Sequence, residues 1–196
     1  MESAKKPGCL LMAAGNSLRF GGEKLEADFG GKSLLRHSLE SVPTDVFSSV
    51  TVVVRKEEAA RLAGSYGFSV LLNDSPEEGI SRTIRLGTEA MQSCPAILYL
   101  TADQPLLTGA DIRQVVSVWQ SHPDCIVSAA HDGRRGSPCI FPARFFPELL
   151  ALKGDTGGSA VLRAHPEALM LAEVPEEALL DCDTPETLEA LHLLCP

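Results

Sequence analysis

The stretch Met12-Ala13-Ala14-Gly15-Asn16-Ser17-Leu18-Arg19-Phe20-Gly21-Gly22-Glu23-Lys24-Leu25 holds the densest chemistry in this chain. Small residues and glycines let backbone N–H groups come close to an anion, and Arg19 and Lys24 add positive charge. Such a loop suits a polyphosphate. Two common phosphate loops are excluded. A Walker A loop needs Ser or Thr after its Lys, and Lys24 is followed by Leu25. A dinucleotide fingerprint needs a second glycine where Ser17 stands. An ordinary strand-to-helix connection with incidental cations fits the same residues, so the loop alone leaves both readings open.

Two carboxylates stand out beside it. Asp103, in Thr101-Ala102-Asp103-Gln104-Pro105, lies just past the apolar run Ala96 to Leu100. In open α/β sheets ligands bind beyond the carboxyl ends of strands, and a carboxylate there can hold Mg²⁺. The ordinary reading of Asp103 is a turn residue before a proline. Asp183, in Asp181-Cys182-Asp183-Thr184-Pro185-Glu186, is the second candidate ligand. Its alternative is a charge favouring the N-terminus of the helix that Thr184 and Pro185 open. Asp155, in Gly154-Asp155-Thr156-Gly157-Gly158, has helix capping as its ordinary role.

These residues need elements to place them. Short apolar or β-branched runs at Cys9–Ala14, Val50–Val54, Phe68–Leu72, Ala96–Leu100 and Cys125–Ala130 read as strands. Helical spacing alternates with them over Leu34–Val42, Glu57–Tyr66, Ile80–Met91 and from Thr108 to about His122. Ser137–Phe141 reads as a further strand, and Arg144–Leu152 and Gly157–His165 as helices. Alternation of this kind predicts an α/β fold of three layers, a mostly parallel sheet with helices on both faces. Neither linker nor repeat interrupts it, so residues 1–196 are expected to form one domain.

Composition narrows the partners. A hydrophobic fraction of 44% suits a globular core, and no apolar run approaches the ~20 residues of a membrane span. No targeting segment is visible, which points to the cytoplasm. A net charge of −9 argues against nucleic acid as a partner. It also requires that any polyanion be met by a local cationic cluster or a metal ion. The six cysteines, at positions 9, 94, 125, 139, 182 and 195, lack the spacing of a zinc site and read as small apolar residues.

Taken together, the motifs resemble those of the MobA-like nucleotidyltransferases, and among them the molybdenum cofactor cytidylyltransferases. The loop from Met12 to Lys24 matches the opening motif of that family. It is followed in order by Gly79-Ile80-Ser81-Arg82-Thr83-Ile84-Arg85-Leu86-Gly87, Thr101 to Pro105, Gly136-Ser137-Pro138 with Gly154 to Gly158, and Asp181 to Glu186. The resemblance implies a Rossmann-like, nucleotide-diphospho-sugar transferase fold and transfer of CMP from CTP to the phosphate of molybdopterin, with Mg²⁺ as cofactor. Arg19, Lys24 and Asp103 would be catalytic. Ala13, Ala14, Gly15, Ser17, Arg19, Lys24, Ser81 and Thr83 would bind the nucleotide, Ser137 and Asp155 the acceptor, and Asp103 and Asp183 the metal.

A molybdenum enzyme or its chaperone would receive the product. Guanylyl-transferring relatives carry Gly where this chain has Ala14, and a methyl group there narrows the pocket toward a pyrimidine. One departure matters: the family's Arg four residues after the Asp is Ser159 here, which leaves the grip on the acceptor phosphate to other residues, with Arg134 and Arg135 as candidates. A cytidylyltransferase for a sugar or polyol phosphate is a competing expectation. So is a non-catalytic nucleotide- or cofactor-binding regulator.

Overall fold

The structure is a computed structural model and describes residues 5–15, 17 and 19–194. Its centre is β1, Gly8–Ala13, whose alternating side chains feed two different cores. Cys9, Leu11 and Ala13 point into one, Leu10 and the following Ala14 into the other. A strand buried on both faces cannot alternate apolar with polar, which is why this segment reads as one continuous apolar run.

Parallel to β1 run β4, Ser49–Val54, and β6, Ala96–Thr101, one on each side. Beyond β4 lies β5, Ser69–Leu72. Beyond β6 lie β8, Arg134–Pro142, then β7, Ile126–His131, then β9, Leu169–Glu173. The seven-stranded order is β5-β4-β1-β6-β8-β7-β9, and β8 alone runs antiparallel to its neighbours. The expected mostly parallel α/β sheet is therefore present.

One face is covered by α1, Leu34–Ser41, α2, Glu57–Ser65, and α4, Gly109–Ser121. Thr108 and Asp111 close a capping box that starts α4 where its sequence indicated. The other face is covered by α3, Ile80–Ala90, α5, Phe146–Leu150, and α6, Ser159–Ala164. Helix α3 packs so close to β1 that a Cβ at Gly87 would overlap Leu10.

A third, small cluster joins Phe29, Leu34, Cys182 and Leu191. It seats the hairpin of β2, Asp28–Phe29, and β3, Lys32–Ser33, against the C-terminal helix α7, Pro185–His192. Thr184 caps α7 and Pro185 opens it, as their types require.

The structure departs from the sequence expectations at several elements. The helix expected over Arg144–Leu152 is a 3₁₀ turn, Ala143–Phe145, leading into the five-residue α5, because Pro147 can sit only in a first helical turn. The strand expected over Ser137–Phe141 extends to nine residues. The β2–β3 hairpin and β9 carried no periodic signal: two strands are two residues long, and β9 is a half-buried edge.

Candidate active site

Three parallel strands end at one edge of the sheet, and the chemistry gathers there. The chain order reverses across the β1/β6 pair, since β4 and β5 lie on one side of β1 and β6 on the other. That switch point is where open α/β sheets leave a crevice for ligands. A cleft of about 490 Å³ opens at this position. Its floor includes Met12 and Ala14 from β1 and the residue after it, and Thr101, Ala102 and Asp103 from β6 and its extension. Ala102 N–H donates to Met12 O at 3.2 Å, which continues the ladder one step past the strand and fixes where Asp103 emerges.

Lys24 reaches this floor from a short 3₁₀ turn, Lys24–Glu26. Its Nζ donates to Asp103 Oδ2 at 2.7 Å and to Asp183 Oδ1 at 3.2 Å. Burial alone would pull the ammonium down, but the charges and hydrogen bonds of the two aspartates outweigh it and raise Lys24 above its ordinary value. Arg19 Nη1 pairs with Asp183 Oδ2 at 3.0 Å from a far more exposed position. Asp183 itself is placed by the backbone, because Cys182 N–H donates to Asp103 O at 2.8 Å and brings the two carboxylate-bearing segments side by side. Near them Asp181 is pushed up to about 6, first by desolvation and then by the negative charges of Asp103 and Asp183.

The donor set fits a hard divalent cation. Asp103 Oδ1 is buried and has no hydrogen-bond partner among the described residues. A buried carboxylate oxygen left without a donor is costly and calls for a partner, and carboxylate oxygen is the ligand Mg²⁺ prefers. Together Asp103 and Asp183 can supply ligands to such an ion, and Lys24 and Arg19 can turn to phosphate oxygens.

Of the sequence-selected residues, Ala14, Gly15, Ser17, Arg19, Lys24, Thr83, Asp103, Asp155 and Asp183 all border the cleft. Three stand elsewhere. Ala13 points to the opposite face of the sheet and borders a smaller hollow of about 240 Å³, because adjacent residues on a strand face opposite ways. Ser81 is fully buried, and its hydroxyl donates to Glu78 O at 3.5 Å and accepts from Arg85 at 3.1 Å. Ser137 lies on β8, its hydroxyl accepting from Thr101 Oγ1 at 3.4 Å.

The structure also adds residues that the motif reading passed over. Asn73, buried at the end of β5, donates to Thr83 Oγ1 at 3.3 Å and so orients a hydroxyl on the cleft wall. Pro76 and Glu77 border the same cleft, next to Ile80 of the Gly79–Gly87 motif. The only signal for Asn73 was that it opens the polar run Asn73-Asp74-Ser75 after an apolar strand, which turn chemistry explains equally well.

A seven-stranded sheet with a glycine-rich loop and a converging lysine and two aspartates at its switch point is the arrangement of a nucleotidyltransferase. The MobA-like NTP transferase domain matches residues 9–169, and the chain belongs to that family. Its relatives include the purine catabolism protein PucB of Bacillus subtilis, 27% identical over 90% of this chain and 91% of that protein. A probable molybdenum cofactor guanylyltransferase of Thermococcus gammatolerans is 24% identical over 93% of this chain and 97% of its own length. Among solved structures, Rv0371c of Mycobacterium tuberculosis superposes with a TM-score of 0.81 at 20% identity, covering 97% of this chain and 99% of that one. At that identity the likeness speaks for the fold. No helix among the described residues is long and apolar enough to cross a membrane.

Proposed function

We propose that this nucleotidyltransferase transfers CMP from CTP to the phosphate of molybdopterin, or of its molybdenum form, and releases pyrophosphate. The observation that carries the reading is the convergence of Lys24 on Asp103 and Asp183 in the cleft that Gly15 and Ser17 also border, with Asp103 Oδ1 left without a partner among the described residues. An oxygen of the acceptor phosphate bonds to the α-phosphorus as the bond to the β-phosphate bridge breaks. Little covalent work falls to the protein, because alignment and charge neutralisation supply most of the rate in such transfers. Asp103 and Asp183 would hold Mg²⁺, which when bound would supply Lewis-acid polarisation of the α-phosphate.

Backbone groups around Gly15 and Ser17 cradle the triphosphate. Lys24 and Arg19 stabilise charge on the transferred and leaving groups. Thr83 and the first turn of α3 border the nucleotide, and the 152–157 loop bounds the acceptor side, with Ser137 behind it, bonded to Thr101 of the cleft floor. Ala14 is almost fully buried on the cleft floor, and its methyl group limits the space for a base. The reaction belongs in the cytoplasm, and its product passes to a molybdenum enzyme or its chaperone.

Pyrophosphate release tests the reading, with CTP or GTP, Mg²⁺ and a panel of acceptors. Release with CTP and molybdopterin, and none with sugar or polyol phosphates, is the expected result. Release confined to a sugar phosphate transfers the activity to that acceptor. CTP binding with no release for any acceptor makes the protein a regulator. The guanylyl activity named for the Thermococcus relative favours the opposite base. A preference for GTP in direct binding of about tenfold or more, ~1.4 kcal/mol, overturns the assignment to CTP.

A further inference from the structure

Helix α3 begins without a cap of its own. Its N-cap position is Gly79, which has no side chain to offer and sits at φ +80°. The first N–H groups of a helix have no acceptor within it. Here the acceptors come from a segment 75 residues further along the chain. Asp155 Oδ1 accepts from Ile80 N–H at 3.4 Å, and Gly154 O accepts from Ser81 N–H at 3.3 Å. One turn on, Arg85 Nη1 donates to Leu152 O at 2.8 Å and to Ser81 Oγ at 3.1 Å. The seat is tight: a Cβ at Gly79 would come within 2.5 Å of Gly154 O.

The nearer helix does not claim Asp155. Helix α6 starts from Gly158 with no side-chain cap bond. Asp155, Gly79 and Ile80 all border the cleft, and Arg85 does not.

We propose that Asp155 is a positioning residue rather than an acceptor ligand: its carboxylate caps α3 and, together with Arg85, pins the 152–155 loop to that helix. The acceptor side and the nucleotide side of the cleft are then one wall. A disturbance of the loop reaches the nucleotide through the first turn of α3, and Arg85 is the pin that holds Leu152 to that helix. The pinning stands on geometry alone, whereas its kinetic consequence rests on the nucleotidyl-transfer reading above.

The test combines amide hydrogen exchange with steady-state kinetics on the full chain for Asp155→Ala, Asp155→Asn and Arg85→Ala. Asp155→Ala is expected to speed exchange at Ile80 and Ser81 and to raise the KM for nucleotide about fivefold, with kcat within about twofold, the scale of a lost helix cap. Asp155→Asn keeps an accepting oxygen and is expected to restore both readouts. Arg85→Ala, away from the cleft, is expected to shift the same exchange rates and the same KM.

Unchanged exchange in the first turn of α3 overturns the proposal. So does a rise in acceptor KM alone for Asp155→Ala with no effect of Arg85→Ala, which makes Asp155 a direct acceptor ligand. If the wild-type chain transfers no nucleotide to any acceptor, the function reading fails, and the exchange data still decide whether Asp155 pins the loop.

Discussion

Lys24 Nζ lies 2.7 Å from Asp103 Oδ2, and both side chains are at least four-fifths shielded from solvent. The residue proposed to hold phosphate and the residue proposed to hold metal are thus partners in one ion pair. Breaking a buried pair from one side leaves the other charge uncompensated, which costs more than the pair contributes.

Lys24→Met is therefore expected to lower stability by ~2 kcal/mol, below the full buried-pair cost because Asp183 keeps Arg19. It should also cut kcat/KM for transfer by roughly 10²–10³, the scale of one lost charge-stabilising donor. The double variant with Asp103→Asn recovers part of the stability and none of the activity. Urea denaturation and pyrophosphate release on the same preparations separate the two effects. Recovery of activity in the double variant refutes the assigned roles.

Ala14→Gly removes the methyl group from the cleft floor. The expected result is a smaller preference for CTP over GTP in kcat/KM, by about tenfold. Parallel assays with both triphosphates measure it, and an unchanged ratio removes Ala14 from base selection.

At an exposed position within a helix, Gly→Ala stabilises by ~1 kcal/mol. At Gly87 the sign is expected to reverse. The new Cβ overlaps the Leu10 side chain, and Leu10 is fully buried with nowhere to retreat. Overpacking of this kind costs ~1–3 kcal/mol, so a net loss of about 1 kcal/mol is expected for Gly87→Ala in chemical denaturation.

The fourth prediction concerns pH. His165 Nε2 lies 2.8 Å from Glu148 Oε1, and that hydrogen bond first, ahead of a small opposing desolvation, raises the imidazole above its ordinary value. A raised folded-state value means that the pair's contribution is fully present below the unfolded value of about 6.5 and fades as pH rises through the folded one. Wild type should thus gain relative to Glu148→Gln on the acid side of that window and converge with it on the alkaline side. Denaturation curves at a series of pH values, with the His165 titration followed by NMR, check the sign.

The sequence by itself determined the sheet's centre and the loop. Cys9–Ala14, Val50–Val54 and Ala96–Leu100 are apolar throughout because each strand is buried on both faces, and burial on both faces is a property that composition alone can report. The start of α4 was equally legible, since Thr108 and Asp111 satisfy each other locally.

What only the tertiary structure decided are relationships between segments distant in the chain. That Lys24 meets Asp103 and Asp183, 79 and 159 residues away, depends on which strands neighbour β1. That Ser81 turns inward while Thr83 borders the cleft depends on which side of α3 faces the sheet. That Asp155 serves a helix 75 residues upstream rather than the one beside it depends on Gly79 leaving room for the loop. Local patterns record a residue's own burial and hydrogen-bonding needs. Which distant partner meets those needs is fixed only when the chain has packed.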